Sequence, residues 1–264
     1  MKDGRLPVFL GIGVQRAGTT WLHNCLAEHP EVCMSQPKET HFFYVNYDRG
    51  LDWYLGHFDH CPATALRGEI CPDYLYHPEA MDRIQALLPD VRLIVVLRDP
   101  VDRAFSAYRI FRDQYPGLSF LEACRRDPAL VDMGRYHRHL APVYQRFGSD
   151  RILIFLYEDI LQAPLAMVQK VYEFIGVDPA FVPGVVEKRF NQVMFPRTQR
   201  LLYGLGLARL VHWVRATPLG ERLRQHASAA PAPRVSAAER DRLRPLFEED
   251  LRLTETLVGR PLPW

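Results

Sequence analysis

Three stretches of the chain combine residue types and spacings that could do chemistry. In the first, Gly13-Val14-Gln15-Arg16-Ala17-Gly18-Thr19-Thr20-Trp21 follows the apolar run Val8 to Val14. It leads into an apolar-periodic segment with Trp21, Leu22, Cys25 and Leu26. Strand, glycine-flanked loop and helix make an anion cradle. Small residues let backbone N–H groups approach a phosphate, and a helix N-terminus adds about half a positive charge. The Gly13-x4-Gly18 spacing is that of a nucleotide phosphate loop, but Thr19 stands where such a loop carries lysine, and Arg16 is its only cation. In the second stretch, Arg98-Asp99-Pro100 ends the β-branched run Arg92–Leu97, with Ser106 eight residues on, near the start of a helix. An arginine at the C-terminal end of a central strand, with a hydroxyl close by, can clamp a second phosphate. The third, Lys38-Glu39-Thr40-His41-Phe42-Phe43, sets a carboxylate and an imidazole beside aromatics. Partial burial there would raise the Glu39 pKa towards neutrality and suit it to act as a base.

Two separate phosphate grips point to a nucleotide phosphorylated at two positions. Triphosphate hydrolysis or a kinase reaction is disfavoured, because no lysine follows Gly18 and no acidic magnesium ligand ends the Arg92–Leu97 strand. A non-catalytic nucleotide-binding module would need a broken base, and Glu39 is intact. Taken alone, each residue also has a plainer reading. Glu39 reads as a solvated charge paired with Lys38, Arg98 as a surface ion pair with Asp99 or Asp102, and His41 as a satisfied, half-buried histidine. His137-x-His139 lacks companions at metal spacing and reads as helix surface. Tyr136, after Gly134, is a candidate for lining an acceptor pocket.

Composition sets the frame for these residues. A length of 264 residues fits one large α/β domain. The 33 basic and 31 acidic residues nearly cancel, which argues against nucleic-acid binding and makes any basic site local. Five cysteines without a CxxC pair fit a reduced, cytoplasmic setting better than a disulfide framework. The start, Met1 to Arg5, runs straight into the first strand and leaves no room for a leader, and no apolar run approaches the roughly eighteen residues of a membrane span.

The elements that must position these residues alternate. Strands are expected at Val8–Val14, Arg92–Leu97 and Arg151–Tyr157, with a short strand running into a proline turn over Gly68–Tyr74, and helices open at Pro78 and Pro164 and cover Ser236 to about Val258. That order predicts a P-loop-like α/β domain with a central, mostly parallel sheet, flanked by helices and closed by C-terminal helices. Residues 197–235 read as a mobile or helical segment over the site. Its stripe from Leu201 to Trp213 reads as core or a dimer contact; if it instead met a membrane, a glycolipid acceptor would follow.

The Gly13–Trp21 loop resembles the 5′-phosphosulfate-binding loop of the sulfotransferases. Leu97-Arg98-Asp99-Pro100 through Ser106-Ala107-Tyr108 resembles their 3′-phosphate-binding strand and helix. Lys38–Phe43 is similar to the Lys-Glu-x-His-Phe-Phe of the heparan sulfate sulfotransferases, as are Leu51-Asp52-Trp53-Tyr54, Tyr157–Ile160 and Gly259–Trp264. The resemblance implies 3′-phosphoadenosine 5′-phosphosulfate (PAPS) as cofactor, 3′-phosphoadenosine 5′-phosphate as product, and no metal. Arg16 with the amides of Ala17, Gly18, Thr19 and Thr20 would hold the 5′-phosphate and the leaving oxygen. Trp21 would stack near the adenine, and Arg98 and Ser106 would take the 3′-phosphate. Glu39 would be the base, His41 a supporting residue, and Arg197 a further cofactor contact. The implied acceptor is a hydroxyl or amine of a carbohydrate or glycoconjugate, with a small-molecule metabolite such as a polyketide as the alternative. Two departures stand out: the family's loop lysine is Arg16 here, and the lysine of its Glu-Lys-Thr/Ser segment is missing from Glu69-Ile70-Cys71. These point to a distinct, bacterial-type branch.

Overall fold

A computed structural model describes residues 5–188 and 233–264. Its sheet has five strands, β1 (Phe9–Gly13), β2 (Val32–Met34), β3 (Leu66–Ile70), β4 (Arg92–Leu97) and β5 (Ile152–Leu156), in the order β2-β3-β1-β4-β5. Every pairing is parallel. The β-branched and leucine runs form strands because both faces of a parallel sheet are covered. β1 is buried along its whole length, and β4 from Leu93 onward. Register also depends on a small residue. Phe9 pairs with Gly68, where any side chain would meet the Phe9 ring at 2.0 Å.

The chain moves from β1 to one side of the sheet and then crosses to β4 and β5 on the other. The change of direction at β1 opens a crevice at the C-terminal strand ends, the usual ligand position of such sheets. The helices are α1 (Thr19–Ala27), α2 (Leu51–Gly56), α3 (Pro78–Leu87), α4 (Pro100–Ile110), α5 (Phe120–Arg126), α6 (Ala129–Asp132), α7 (Tyr136–Phe147), α8 (Tyr157–Gln162) and α9 (Pro164–Ile175); α3 and α9 open at the expected prolines, whereas the short α6 and α8 were not expected. Gly176, at φ +86°, ends α9 in the left-handed region.

Three expectations need correction. The continuous helix from Ser236 to Val258 is two helices, α10 (Ala237–Leu243) and α11 (Glu248–Val258), separated by a short 3₁₀ turn at Arg244–Leu246. Pro245 is the cause, since it has no N–H to donate and its ring clashes with the preceding turn. Val32–Met34 adds an edge strand that was not foreseen, three residues being too few to show a period. The cysteines are not all free: Cys33 in β2 is disulfide-bonded to Cys61 beyond α2, while Cys25, Cys71 and Cys124 are free and buried. The two partners are 28 residues apart, and only the fold brings them together.

The C-terminal helices do close the core. Leu243 and Phe247 pack in one cluster with Val101, Tyr108, Phe120 and Leu130. Asp250 of α11 caps α7 by accepting from the amides of His137 and Arg138, each at 3.0 Å. Arg197, the Leu201–Trp213 stripe and nearly all of the 197–235 segment lie outside the described residues.

Candidate active site

All five strands end at the crevice, and the segment after each supplies part of the site. After β1 the loop turns into α1 through Gly18, at φ +95°, where a side chain would meet the Tyr157 ring at 3.1 Å and Ile160 at 3.3 Å. Gly18 is also the N-cap of α1 and offers no side chain to the first-turn amides, which a helix cannot satisfy from within. Those donors suit an anion.

Arg16 sits in the left-handed region at φ 74°, a costly conformation for a non-glycine residue. Two contacts hold it there. Its Nε donates to Ser106 Oγ at 3.2 Å, and its carbonyl accepts from Arg98 Nη1 at 2.9 Å. Arg98 in turn lies over the Tyr157 ring, 4.7 Å from the centroid. Burial, followed by the positive charges of Arg98 and Arg109, holds the Arg16 guanidinium below the ordinary arginine range. Arg109 is lowered too, by burial and then by Arg98. The ion pair of Arg98 with Asp99 or Asp102 does not form, because both carboxylates are taken by Arg240 at 2.6 Å. Among the described residues, then, three guanidinium groups share one corner with no carboxylate paired to any of them. Mutual repulsion on partly desolvated cations is relieved by an anion, and a ligand with two phosphates fits that corner.

The segment after β2 is held by a buried carboxylate. Glu69 of β3 is fully buried and accepts from Thr40 N (2.8 Å), Thr40 Oγ1 (2.7 Å), Tyr74 OH (3.0 Å) and Tyr54 OH (2.8 Å). Burial still raises its pKa, although those four bonds oppose the shift. Phe42 stacks on Tyr54 at 4.4 Å, and Phe43 meets Tyr74 edge-on at 5.4 Å. Thr40 is therefore pinned between Glu39 and His41. The aromatics go into the core, and Glu39 stays about one-third exposed and ion-paired with Lys38.

His41 has a positive φ of 52° and reaches both ways. Its Nε2 lies 3.9 Å from Glu39 Oε2, and its Nδ1 lies 2.8 Å from Tyr44 OH and 4.0 Å from Asp73 Oδ2. Tyr44 OH donates to Asp73 Oδ2 at 3.4 Å, so the Tyr44 oxygen is left to accept from His41 Nδ1–H. Burial, and after it the Glu39 charge, raises the Asp73 pKa. Gln15 donates to Asp73 Oδ1 at 3.4 Å, joining this cluster to the loop that carries Arg16. Glu39, His41 and Asp73 each offer a ligand atom within 4.8 Å of the others, a donor set that a divalent cation could use in competition with Lys38.

One residue beside the site gives a pH prediction. His23 of α1 is pushed down to about 4, first by burial and then by the Lys38 charge. In the unfolded chain it titrates at 6.5. The unfolded state therefore binds the proton first, and the stability that neutral His23 contributes is lost as pH falls from 6.5 towards 4. Denaturant unfolding at pH 7 and pH 4 should show wild type losing up to about 3 kcal/mol more than His23→Gln over that interval. Equal losses would remove His23 from the acid response.

The structure thus brings Arg16, Arg98 and Ser106 together at one grip, and Glu39 and His41 at another. Ala17 is buried in the loop, buried Thr19 opens α1, and Thr20 follows in its first turn. Trp21 is 5% exposed and its Nε1 donates to Val186 O at 2.8 Å, which leaves little ring face for a nucleobase. Sequence reasoning missed Arg109, Asp73, Tyr44, Gln15 and Glu69. Two of them carried a signal. Arg109 stands three residues after Ser106, on the same helix face. Glu69 is a carboxylate in a buried strand, and such a group demands partners.

Residues 7–201 match the Sulfotransferase domain family. The chain is 34% identical over 187 residues to mouse heparan sulfate glucosamine 3-O-sulfotransferase 3B1, an alignment covering 66% of this chain and 47% of that protein. It spans about half the length of the curated relatives it matches. A crystal structure of a sulfotransferase from Alicyclobacillus acidocaldarius superposes with a TM-score of 0.73 at 22% identity, covering 97% of each chain. The sulfotransferase domain from the curacin biosynthetic pathway gives 0.55 at 17% identity, covering 98% of this chain and 100% of that one. With the phosphate loop before α1 and the arginine after β4 in place, the match over residues 7–201 places this chain in the sulfotransferase family.

Proposed function

We propose that the protein transfers the sulfuryl group of PAPS to a hydroxyl or amine of a carbohydrate or glycoconjugate. One observation carries the reading: the loop of the arginine corner and the Glu39–His41 pair are linked through Gln15, Asp73 and Tyr44, across the ends of β1 and β3. When bound, PAPS supplies an activated sulfuryl group with a phosphate as its leaving group. Arg16 and the first-turn amides of α1 bind the 5′-phosphate and stabilise charge on the departing oxygen. Arg98 and Ser106 hold the 3′-phosphate, with Arg109 adding positive potential. Arg16 keeps its own proton where a lysine could give one up, so it acts through charge and its planar fork. Glu39 removes the acceptor proton, and His41 is set beside it by Tyr44 and Asp73. The heparan sulfate enzyme at 34% identity supports a carbohydrate acceptor. The second reading, a small-molecule hydroxyl, is favoured by Ile70, fully buried where the heparan branch has its lysine.

The test is calorimetric titration with 3′-phosphoadenosine 5′-phosphate in EDTA, beside ATP with magnesium. The bisphosphate is expected to bind at least about tenfold more tightly, reflecting its extra charge-assisted bonds. Equal or tighter binding of magnesium-ATP would overturn the reading. Labelled PAPS with fractionated glycans then separates the two acceptor classes.

A further inference from the structure

The disulfide Cys33–Cys61 has a third donor beside it. His60 Nε2 lies 3.4 Å from Cys33 Sγ and 3.9 Å from Cys61 Sγ, and His60 itself is exposed. All three donor atoms fall within 4.8 Å of one another. In a tetrahedral zinc site, with sulfur at about 2.3 Å and nitrogen at about 2.0–2.1 Å from the metal, nitrogen and sulfur ligands stand about 3.6 Å apart. The two observed separations bracket that distance. His60 therefore already stands where a third ligand would be needed, and opening the sulfur–sulfur bond is the main change required.

We propose that Cys33, His60 and Cys61 form a switchable closure: a disulfide when oxidised, and a site for a thiophilic divalent cation of the zinc class when reduced. A dithiol reductant gives two electrons and two protons, becomes a disulfide itself, and leaves Cys33 and Cys61 as thiols. Cation binding then releases two protons, giving two thiolate ligands and one imidazole. Solvent takes the fourth position on the exposed side. What is closed matters, because the segment between the cysteines contains Lys38–Phe43 and α2. The tie is also fastened to the start of that segment. Gln36 N donates to His57 O at 3.1 Å, and His57 Nδ1 lies 2.9 Å from Gln36 O. Either closure restrains the loop that presents Glu39, so the loop stays tethered in both redox states provided the cation is present. This inference does not depend on the sulfotransferase reading.

Cobalt(II) is the probe, because thiolate ligation gives a charge-transfer band in the near ultraviolet. The full chain is reduced with a dithiol, freed of reductant under anaerobic conditions and titrated. Reduced wild type is expected to bind one equivalent with that band, displaceable by zinc, and the oxidised protein to show no band. His60→Ala, at an exposed position where the fold is not at stake, is expected to lose at least about tenfold in affinity. The band should survive Cys71→Ser, since Cys71 lies 3.3 Å from His41 Nδ1 and forms, among the described residues, a separate thiol–imidazole contact. No band in the reduced protein, an unchanged affinity in His60→Ala, or loss of the band in Cys71→Ser would each overturn the proposal.

Discussion

Glu39→Gln is expected to lower turnover about 10²–10⁴-fold, the range for losing a general base, while nucleotide affinity stays within about twofold. The separation follows from where Glu39 sits. It has no contact with Arg16, Arg98 or Ser106, and its described partners are Lys38 and His41. Glutamine keeps the shape and removes the basic oxygen, and Thr40 remains anchored on Glu69. The loop should therefore hold its place, and a structural role for Glu39 would leave turnover nearly intact. Single-turnover transfer from labelled PAPS, with calorimetry of the bisphosphate product on the same sample, reads both quantities. Retained turnover would pass the role of base to His41, whose Nε2 is the nearest alternative.

The central sheet was legible because buried parallel strands announce themselves as apolar runs, as Arg92–Leu97 does. The phosphate corner was legible because its parts are local: a loop of fixed spacing, and an arginine at a strand end. Relations between elements were not. Nothing in the letters pairs Asp73 with Gln15, since the contact depends on β1 and β3 being neighbours, and that adjacency is set by the crossover. Cys33 and Cys61 are hidden in the same way. Trp21 shows the converse error. Its place in a motif suggested a nucleobase partner, yet the start of α1 turns its indole into the core against Val186. Glu39 shows a subtler one. Its aromatic neighbours in sequence promised burial, but the turn that begins at Phe42 sends Phe42 and Phe43 inward and leaves the carboxylate about one-third exposed.

Arg98→Ala should weaken binding of 3′-phosphoadenosine 5′-phosphate by ~2–4 kcal/mol, the range for leaving a desolvated charge unpaired. That loss alone would be ambiguous, because Arg98 Nη1 also holds the Arg16 carbonyl and its removal could loosen the other grip. The ambiguity is resolved by changing the ligand as well as the protein. Wild type should prefer the bisphosphate over adenosine 5′-monophosphate by a similar margin, since that ligand lacks the group Arg98 is assigned to hold. In Arg98→Ala the preference should collapse, with the two ligands binding within about 0.5 kcal/mol of each other, as a coupled pair requires. If the variant instead loses affinity for both ligands equally and keeps its preference, Arg98 acts by bracing Arg16, and the 3′-phosphate belongs to Ser106 and Arg109. Arg98→Lys sharpens the distinction. A lysine restores charge without the planar fork, so it should recover long-range attraction, seen in the salt dependence, but only part of the discrimination between the two nucleotides.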